Sequence, residues 1–448
     1  MYFWDRFKEA LAKMLNAGNI KAKLNTDIAA SQTMLDYIQL WGDMYKNKPP
    51  WSDKVKTLNL PAAIAAEMAR LVTVEHKITI TGSRGDFLSS VIAPLSAKLR
   101  IYAEYACAKG GIAFKPYVDN GKIAIDIVQA DNFYPTAYDS SGNITSAIFT
   151  EQKIKEQMYY TRLEYHDFNG GTETIKNFAY KSFTKNDLGQ SIPLTAVPEW
   201  ADIQPEVTIA NLKKPLFAYF RIPLANNIDP SSPLGVSIYA RAVDLIQAAD
   251  EQYNRLLWEF EGSELAVHAD IALFGKNGMP KLNNRLFKAI DVGQSGFYEV
   301  YSPAIRDQSI INGLNELLMR IEDACLLSRG TFSRTDNVAK TATELKIMRQ
   351  RTYAAVSDMQ RALQNAIDDL IYACDVMATL YKLAPVGNYD VAFEWDDSIV
   401  ADTDAEFARR LQLVASGIIS PAELRAWYLG ESLEQATQNL PAADDDEV

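Results

Sequence analysis

Arg329, Arg334 and Lys340 punctuate SRGTFSRTDNVAKTAT (328–343), a polar stretch with one glycine set between two apolar, helix-patterned segments. Guanidinium and ammonium groups on a mobile, Gly-punctuated backbone suit transient, sequence-independent contact with a polyanion such as DNA. The stretch also opens the most basic part of an acidic chain. From Arg329 to Arg361, seven basic residues (Arg329, Arg334, Lys340, Lys346, Arg349, Arg351, Arg361) face three acidic ones (Asp336, Glu344, Asp358), a local balance of +4 in a chain of −12. Lys346, Arg349, Arg351 and Arg361 fall on the helix that follows, where pairing with carboxylates of a neighbouring copy competes with contact to nucleic acid. The same composition also describes a solvated helix face with an exposed turn.

Catalytic constellations are not legible. GSRGDF (82–87) and GQSGFY (293–298) contain glycines but no Lys-Ser/Thr at phosphate-loop spacing, and neither HExxH nor GxSxG occurs. His76, His166 and His268 sit in strand-like contexts with no carboxylate or cysteine recognised at ligand spacing, so each is expected to be structural. The acidic pairs Asp368-Asp369, Asp396-Asp397 and Asp402-Asp404 do not make chelates, because neighbours diverge by about 100° on a helix or face opposite sides of a strand. Cys107, Cys325 and Cys374 are far apart and in apolar settings. They are expected to be small buried hydrophobes in a reducing compartment. No catalytic residue, metal or cofactor is therefore assigned.

The elements that must carry these residues can be read from periodicity. A chain of 448 residues with 48% apolar and 23% charged content is globular and large enough for two or three packed units. Its 22 Tyr, 18 Phe and 7 Trp suit extensive packing or subunit surfaces. No run approaches the roughly 20 apolar residues needed to cross a bilayer. The opening MYFWDRFKEALAKML lacks an uninterrupted apolar core, and Phe3, Trp4, Phe7, Leu11 and Met14 recur at helical spacing. A packing or partner-binding helix is expected there, not a secretory signal or membrane anchor.

Helices are expected over Leu24–Tyr45, Leu60–Val74 and Asp86–Lys109, with a strand at His76–Ile80 and a stop at Gly110-Gly111. From Ile112 to about Lys181 the period becomes two, and Asp119-Asn120-Gly121 marks a hairpin turn. The pattern is an antiparallel meander without βαβ units, hence an α+β class. Long helices follow at Leu234–Glu261, Ala304–Leu327 and Ala342–Leu383, the first two bracketing a short β excursion. Thr341 and Glu344 have the spacing of a capping box. A strand at VAFEW (391–395) precedes a small helical section ending in DDDEV. From Asp396 onward there are 12 acidic and 3 basic residues, so −9 of the −12 lies in this last section.

Several islands in this order resemble the portal proteins of tailed bacteriophages, in the branch of long-tailed phages of Gram-positive-type lineage. They are LNLPAAIAAEMARLVTVEHKITITG (58–82), GGIAFKPYVDNGKIAIDIVQADNFYPTAYDSSGNITSAIF (110–149), SPLGVSI (232–238), KTATE (340–344), FEWDDSIVADTDAE (393–406) and LVASGIISPAELRAWYLGE (413–431). The resemblance implies a portal fold assembled as a ring, usually of a dozen subunits, at one capsid vertex. It implies N-terminal helices and an α/β wing over 1–233, and a first stem helix over 234–261. A clip over 262–303 and a second stem helix over 304–327 would follow. A tunnel loop over 328–341, a long helix with a closing wing strand over 342–400, and a short helical crown with an acidic tail over 401–448 complete the scheme.

The implied partners are double-stranded DNA passing through the channel, a large terminase that supplies the motor, a head-completion or adaptor protein, and the major capsid and scaffold proteins. No membrane partner is implied, and the expected location is the virion's portal vertex after assembly in the host cytoplasm. Arg329, Arg334 and Lys340 would face the DNA, and His268, Phe274, Lys276, Lys281 and Arg285 would lie on the docking clip. The charge fits that picture. DNA carries one charge per about 1.7 Å of axis, so a uniformly basic bore would grip it. An acidic wall repels only within a screening length of about 8 Å. The competing readings are a metal-dependent DNA-processing enzyme and a capsid or adaptor protein that forms no ring.

Overall fold

The computed structural model describes residues 17–74, 76–263, 266–270, 287–290, 298–301, 304–334, 342–395 and 403–440. The helix expected at the extreme N-terminus, the Thr341 cap and the DDDEV tail lie outside the described residues.

The helix expected from Leu24 to Tyr45 starts only at Gln32, as α2 (Gln32–Tyr45), and Leu24 instead ends an earlier helix, α1 (Ala17–Leu24). Asn25 takes a left-handed φ of 51°, and Ser31 starts α2 afresh, its Oγ accepting from Met34 N at 3.2 Å. The periodic apolar positions of α3 (Leu60–Thr73) place Ile64, Met68 and Val72 in the core. β1 (Lys77–Thr81) follows. The helix expected over Asp86–Lys109 is also two, α4 (Gly85–Ser96) and α5 (Leu99–Lys109). Pro94, which has no amide hydrogen, weakens the last turn of α4 just before the break. Gly110 then ends α5 in a left-handed conformation, φ 90°.

β2 (Gly111–Asp119) and β3 (Lys122–Gln129) form the expected hairpin, with Asn120 and Gly121 both at positive φ (47° and 73°). β4 (Phe133–Tyr138), β5 (Ile144–Lys155), β6 (Met158–Asn169), β7 (Thr172–Ser182) and β8 (Gln190–Ile192) run as an antiparallel meander, and β9 (Glu206–Ile209) pairs back onto β7. β10 (Ala218–Arg221) lies antiparallel to β2, giving a smaller sheet of order β10-β2-β3. Phe133, Phe149, Phe217 and Tyr219 pack together with ring centroids 5.0–6.2 Å apart, Phe133 stacked on Tyr219 and the other pairs tilted or edge-to-face.

The segment from Leu234 to Tyr239, expected to be helical, is instead a buried, non-helical crossing. A Cβ on Gly110 would stand 2.2 Å from the Gly235 carbonyl oxygen, so the two glycines let the strands of backbone touch. Ile238 N and Ser237 Oγ both donate to the Cys107 carbonyl, at 2.9 and 3.2 Å. Those bonds hold the chain extended, and helix α6 (Val243–Gly262) begins only afterwards.

Beyond α6, β11 (Ala266–Asp270) pairs in parallel with β12 (Phe287–Ile290) and antiparallel with β13 (Tyr298–Tyr301). Helix α7 (Asp307–Ala324) returns against α6. Then comes α8 (Ala342–Leu380), 39 residues and therefore about 58 Å long. Leu363, Ile367, Leu370 and Cys374 make its buried stripe. Arg84, 2% exposed, ties the end of α8 and the chain just beyond it to the start of α4, donating to Asp375 Oδ1 (2.5 Å), Thr379 Oγ1 (2.7 Å) and the Asp375, Ala384 and Pro385 carbonyls (3.1, 3.0 and 2.9 Å). β14 (Asp390–Glu394) closes antiparallel onto β1, a pairing across more than three hundred residues. α9 (Thr403–Ala415), α10 (Pro421–Leu429) and α11 (Leu433–Gln438) complete the fold, the last two each entered through a Ser capping box.

Candidate nucleic-acid interface

The end of α7 is set by packing. Ile321, Cys325 and Leu327 are buried, and Leu326 leaves the helix at a left-handed φ of 60°. This conformation points Leu327 N back to the Glu322 carbonyl at 2.9 Å and turns the chain. Glu322 itself is fully buried. Its carboxylate accepts four hydrogen bonds, from Gly330 N (3.2 Å), Phe332 N (2.5 Å), Ser333 N (2.8 Å) and Ser333 Oγ (2.7 Å). One residue further, Arg334 N donates to Asn315 Oδ1 at 2.6 Å while Asn315 Nδ2 donates to the Arg334 carbonyl at 2.9 Å. Ser328 Oγ meets Thr352 Oγ1 at 3.0 Å and so ties the start of the segment to α8. The mobile loop expected from the sequence is thus anchored over its first half. Lys340 lies outside the described residues.

The basic residues do not form one patch. Arg329 is bidentate on Asp323 (Nη2 to Oδ2, 2.6 Å), and Arg351 Nη1 stands 3.8 Å from the same carboxylate. Arg361 lies 3.9 Å from Asp358. Arg334 is exposed, and among the described residues its guanidinium has no partner. Lys346 and Arg349 are on α8, and their side chains lie outside the description, as do Phe274, Lys276, Lys281 and Arg285 altogether. His268 is on β11, opposite Lys288 and Glu299 in register. From Glu316 to Arg334 three cations (Arg320, Arg329, Arg334) face three carboxylates (Glu316, Glu322, Asp323), so this stretch is neutral. The +4 window begins at Arg329 and leaves out the acids that fold against it.

Two further carboxylates fix α6 to its neighbours. Glu259 accepts from Arg306 N (3.1 Å), Nε (3.1 Å) and Nη2 (2.9 Å) where α6 meets α7. Asp250 accepts from Trp51 Nε1 (2.8 Å) and Leu58 N (2.7 Å), holding the N-terminal segment on α6. Burial pushes the Asp250 carboxyl above its ordinary range despite those two bonds.

A second charged cluster lies under the large sheet, and it corrects the reading of the histidines. His166 Nε2 is 3.0 Å from Glu164 Oε1, and its Nδ1 is 2.6 Å from Glu173 Oε1. Residues two apart on a strand share a face, so the sequence itself pairs Glu164 with His166. With a carboxylate facing each nitrogen, the arrangement favours the doubly protonated, charged ring, which can donate from both. Burial opposes that charge most strongly, but Glu164 and Glu173 together overcome it and raise the His166 pKa. For Glu164 burial is again the largest influence and acts upward, yet Lys115, His166 and Arg162 outweigh it and hold the carboxyl well below its ordinary range. Lys115 Nζ lies 2.5 Å from Glu164, and Glu173 Oε2 also accepts from Leu216 N at 2.6 Å. The cluster therefore bolts β6 and β7 to β2 and to the approach to β10.

The remaining expectations resolve simply. His76 bridges the Thr73 carbonyl (2.9 Å) and Ser96 Oγ (3.1 Å). All three cysteines are free and buried, with burial pushing the Cys107 and Cys374 thiols up to about 12. Asp369 is paired with Lys214 at 2.5 Å. Among the described residues no group of three His, Cys, Asp or Glu could hold a metal ion, and no helix is long and apolar enough to cross a membrane.

Residues 94–440 match the family model described as "Phage portal protein, SPP1 Gp6-like". The chain belongs to that phage portal family. No curated protein matches this portal chain. Among solved structures, it is similar to a chain in the virion of a native gene transfer agent (GTA) particle, at 10% identity over 90% of this chain and 99% of that one, with a TM-score of 0.43. A chain from the neck of the native GTA particle computed with C12 symmetry is similar at 10% identity, over 83% of this chain and 90% of that one, with a TM-score of 0.41. The portal family is structural, and the role it confers is that of the head-to-tail connector.

Proposed function

We propose that copies of this chain close into a ring, of about a dozen subunits as the family resemblance implies, through which double-stranded DNA enters and leaves the capsid. In this reading α6 and α7 are the stem helices and the β11–β13 insert between them is the clip that docks first a large terminase and later a head-completion or adaptor protein. The two sheets with β1 and β14 are the wing, and α9–α11 are a short crown. The ring sits at the portal vertex of the virion after assembly in the host cytoplasm, in contact with capsid and scaffold proteins. The chain carries no catalytic step, because translocation belongs to the terminase.

The observation that carries the reading is the family match across residues 94–440. Charge supports it. The chain is −12 overall, and at the junction of α7 with the following segment Arg329 and Arg351 share Asp323 while Arg334 stays exposed. Phosphates meeting single cations against a negative background are contacted weakly and without sequence preference. Sliding is then favoured over capture. Arg334 is the described residue we place against DNA, and Lys340, from the same sequence stretch, is proposed for the same role. Lys346, Arg349, Arg351 and Arg361 serve contacts to DNA or to the neighbouring copy, and His268, Phe274, Lys276, Lys281 and Arg285 serve the clip.

Native mass spectrometry of assembled particles tests the ring. Copies of a 50.0 kDa chain should appear as a single large closed oligomer near a dozen chain masses, and a monomer or dimer under assembly conditions would remove the channel reading.

A further inference from the structure

We infer that Glu322 and Asn315 are positioning residues that clasp the chain from Gly330 to Arg334 onto α7, so that Arg334 is placed by α7 and not by the long helix α8. The functional meaning of the clasp rests on the proposal that this segment faces DNA; the clasp itself does not.

Glu322 and Asn315 are seven residues apart and so lie on one face of α7, two turns from each other. The Glu322 carboxylate gathers three consecutive-region amides and one hydroxyl, from Gly330, Phe332 and Ser333. Nothing else in the described structure neutralises it by direct ion pairing; backbone dipoles hold it. Asn315 continues the contact by meeting both backbone polar groups of Arg334, as a neighbouring strand would. Gly330 can join because it adopts φ 94°, and Thr331 closes the turn by donating to the Ser328 carbonyl from both N (3.2 Å) and Oγ1 (2.6 Å). Every contact in the clasp is to backbone or to Ser333. The guanidinium of Arg334 is used in none of them, which leaves it exposed while its Cα is held.

Had an arginine or lysine balanced Glu322, the clasp would have spent a cation. Using amides instead fixes the path of the chain and leaves the charge on Arg334 available. Arg329 contrasts with this, since its guanidinium is already committed to Asp323.

Hydrogen exchange on the assembled particle tests the assignment. The Phe332, Ser333 and Arg334 amides should exchange about a hundredfold more slowly than in an unstructured chain. Glu322→Ala should abolish the protection of Phe332 and Ser333. Glu322→Gln, which keeps one oxygen acceptor, should restore about a tenth or more of it. Asn315→Ala should release the Arg334 amide alone. Amides in the middle of α7 should be unchanged throughout, which separates local release from general loosening. If Glu322→Ala does not assemble, Ser333→Ala and Asn315→Ala carry the test, each with a loss confined to its own contact. Free-chain exchange of Phe332 and Ser333 in the wild type, or full protection in Glu322→Ala, overturns the clasp. Lost protection with unaltered DNA packaging upholds the clasp and sinks the DNA-facing reading instead.

Discussion

Two buried carboxylate sites in this chain solve the same problem in opposite ways. Beneath the large sheet, Glu164 and Glu173 are matched against Lys115, Arg162 and His166. At the end of α7, Glu322 is matched against backbone amides and one hydroxyl. The first arrangement cements two sheets and consumes every charge it uses. The second fixes a chain path and leaves a neighbouring cation, Arg334, uncommitted. The two sheets are held by charge against charge, and the segment after α7 by charge against dipole.

The comparison breaks most visibly at Lys115. Lys115→Ala leaves Glu164 without its nearest cation in a buried site, and global stability should fall by about 3–5 kcal/mol, read as a shift of the urea midpoint. Glu322→Ala should cost less, about 1–3 kcal/mol for amides left unpaired, measured the same way. An equal loss at both sites would erase the distinction between them.

pH sharpens the contrast. The His166 pKa is raised from its ordinary 6.5, so the stability it contributes is complete below 6.5 and is lost as pH rises through the higher folded value. The Glu164 pKa is lowered from 4.5, so its contribution is complete above 4.5 and is lost as pH falls through the lower folded value. The stability this cluster contributes should therefore be greatest between about pH 4.5 and 6.5. His166→Gln should flatten the alkaline limb of the urea midpoint against pH; an unchanged limb would show that His166 does not titrate there.

The smallest effects belong to the exposed arginines. Arg329→Ala, half-exposed on Asp323, should change stability by under about 1 kcal/mol. In assembled particles Arg334→Ala should lower the salt dependence of DNA binding more than Arg329→Ala does, because the Arg329 charge is already shared. Equal salt slopes would contradict the assignment of Arg334.

The fold was legible wherever pattern and turn chemistry agree. The Asn120-Gly121 hairpin, the meander from Ile144 to Ser182 and the stop at Gly110 follow from period and from residues that tolerate positive φ. Helix ends were less so. The run from Leu234 carries helix-compatible residues, but the close approach of Gly235 to Gly110, a contact across more than a hundred residues, decides against it. The basic segment illustrates the same limit. Counting charge forward from Arg329 shows a cationic run, whereas the fold brings Asp323 and Glu322 onto it from behind. Glu164 and His166, two apart on a strand, were open to inspection; Glu173 on the next strand was not, because register across β6 and β7 sets that meeting.

A cryo-electron microscopy reconstruction of the DNA-filled particle bears most directly on the whole account. It should show a closed ring of this chain with the Arg334 guanidinium of each copy lining the bore within about 8 Å of the duplex phosphates. A solitary chain, or a ring in which Arg334 lies well beyond that distance, would contradict it.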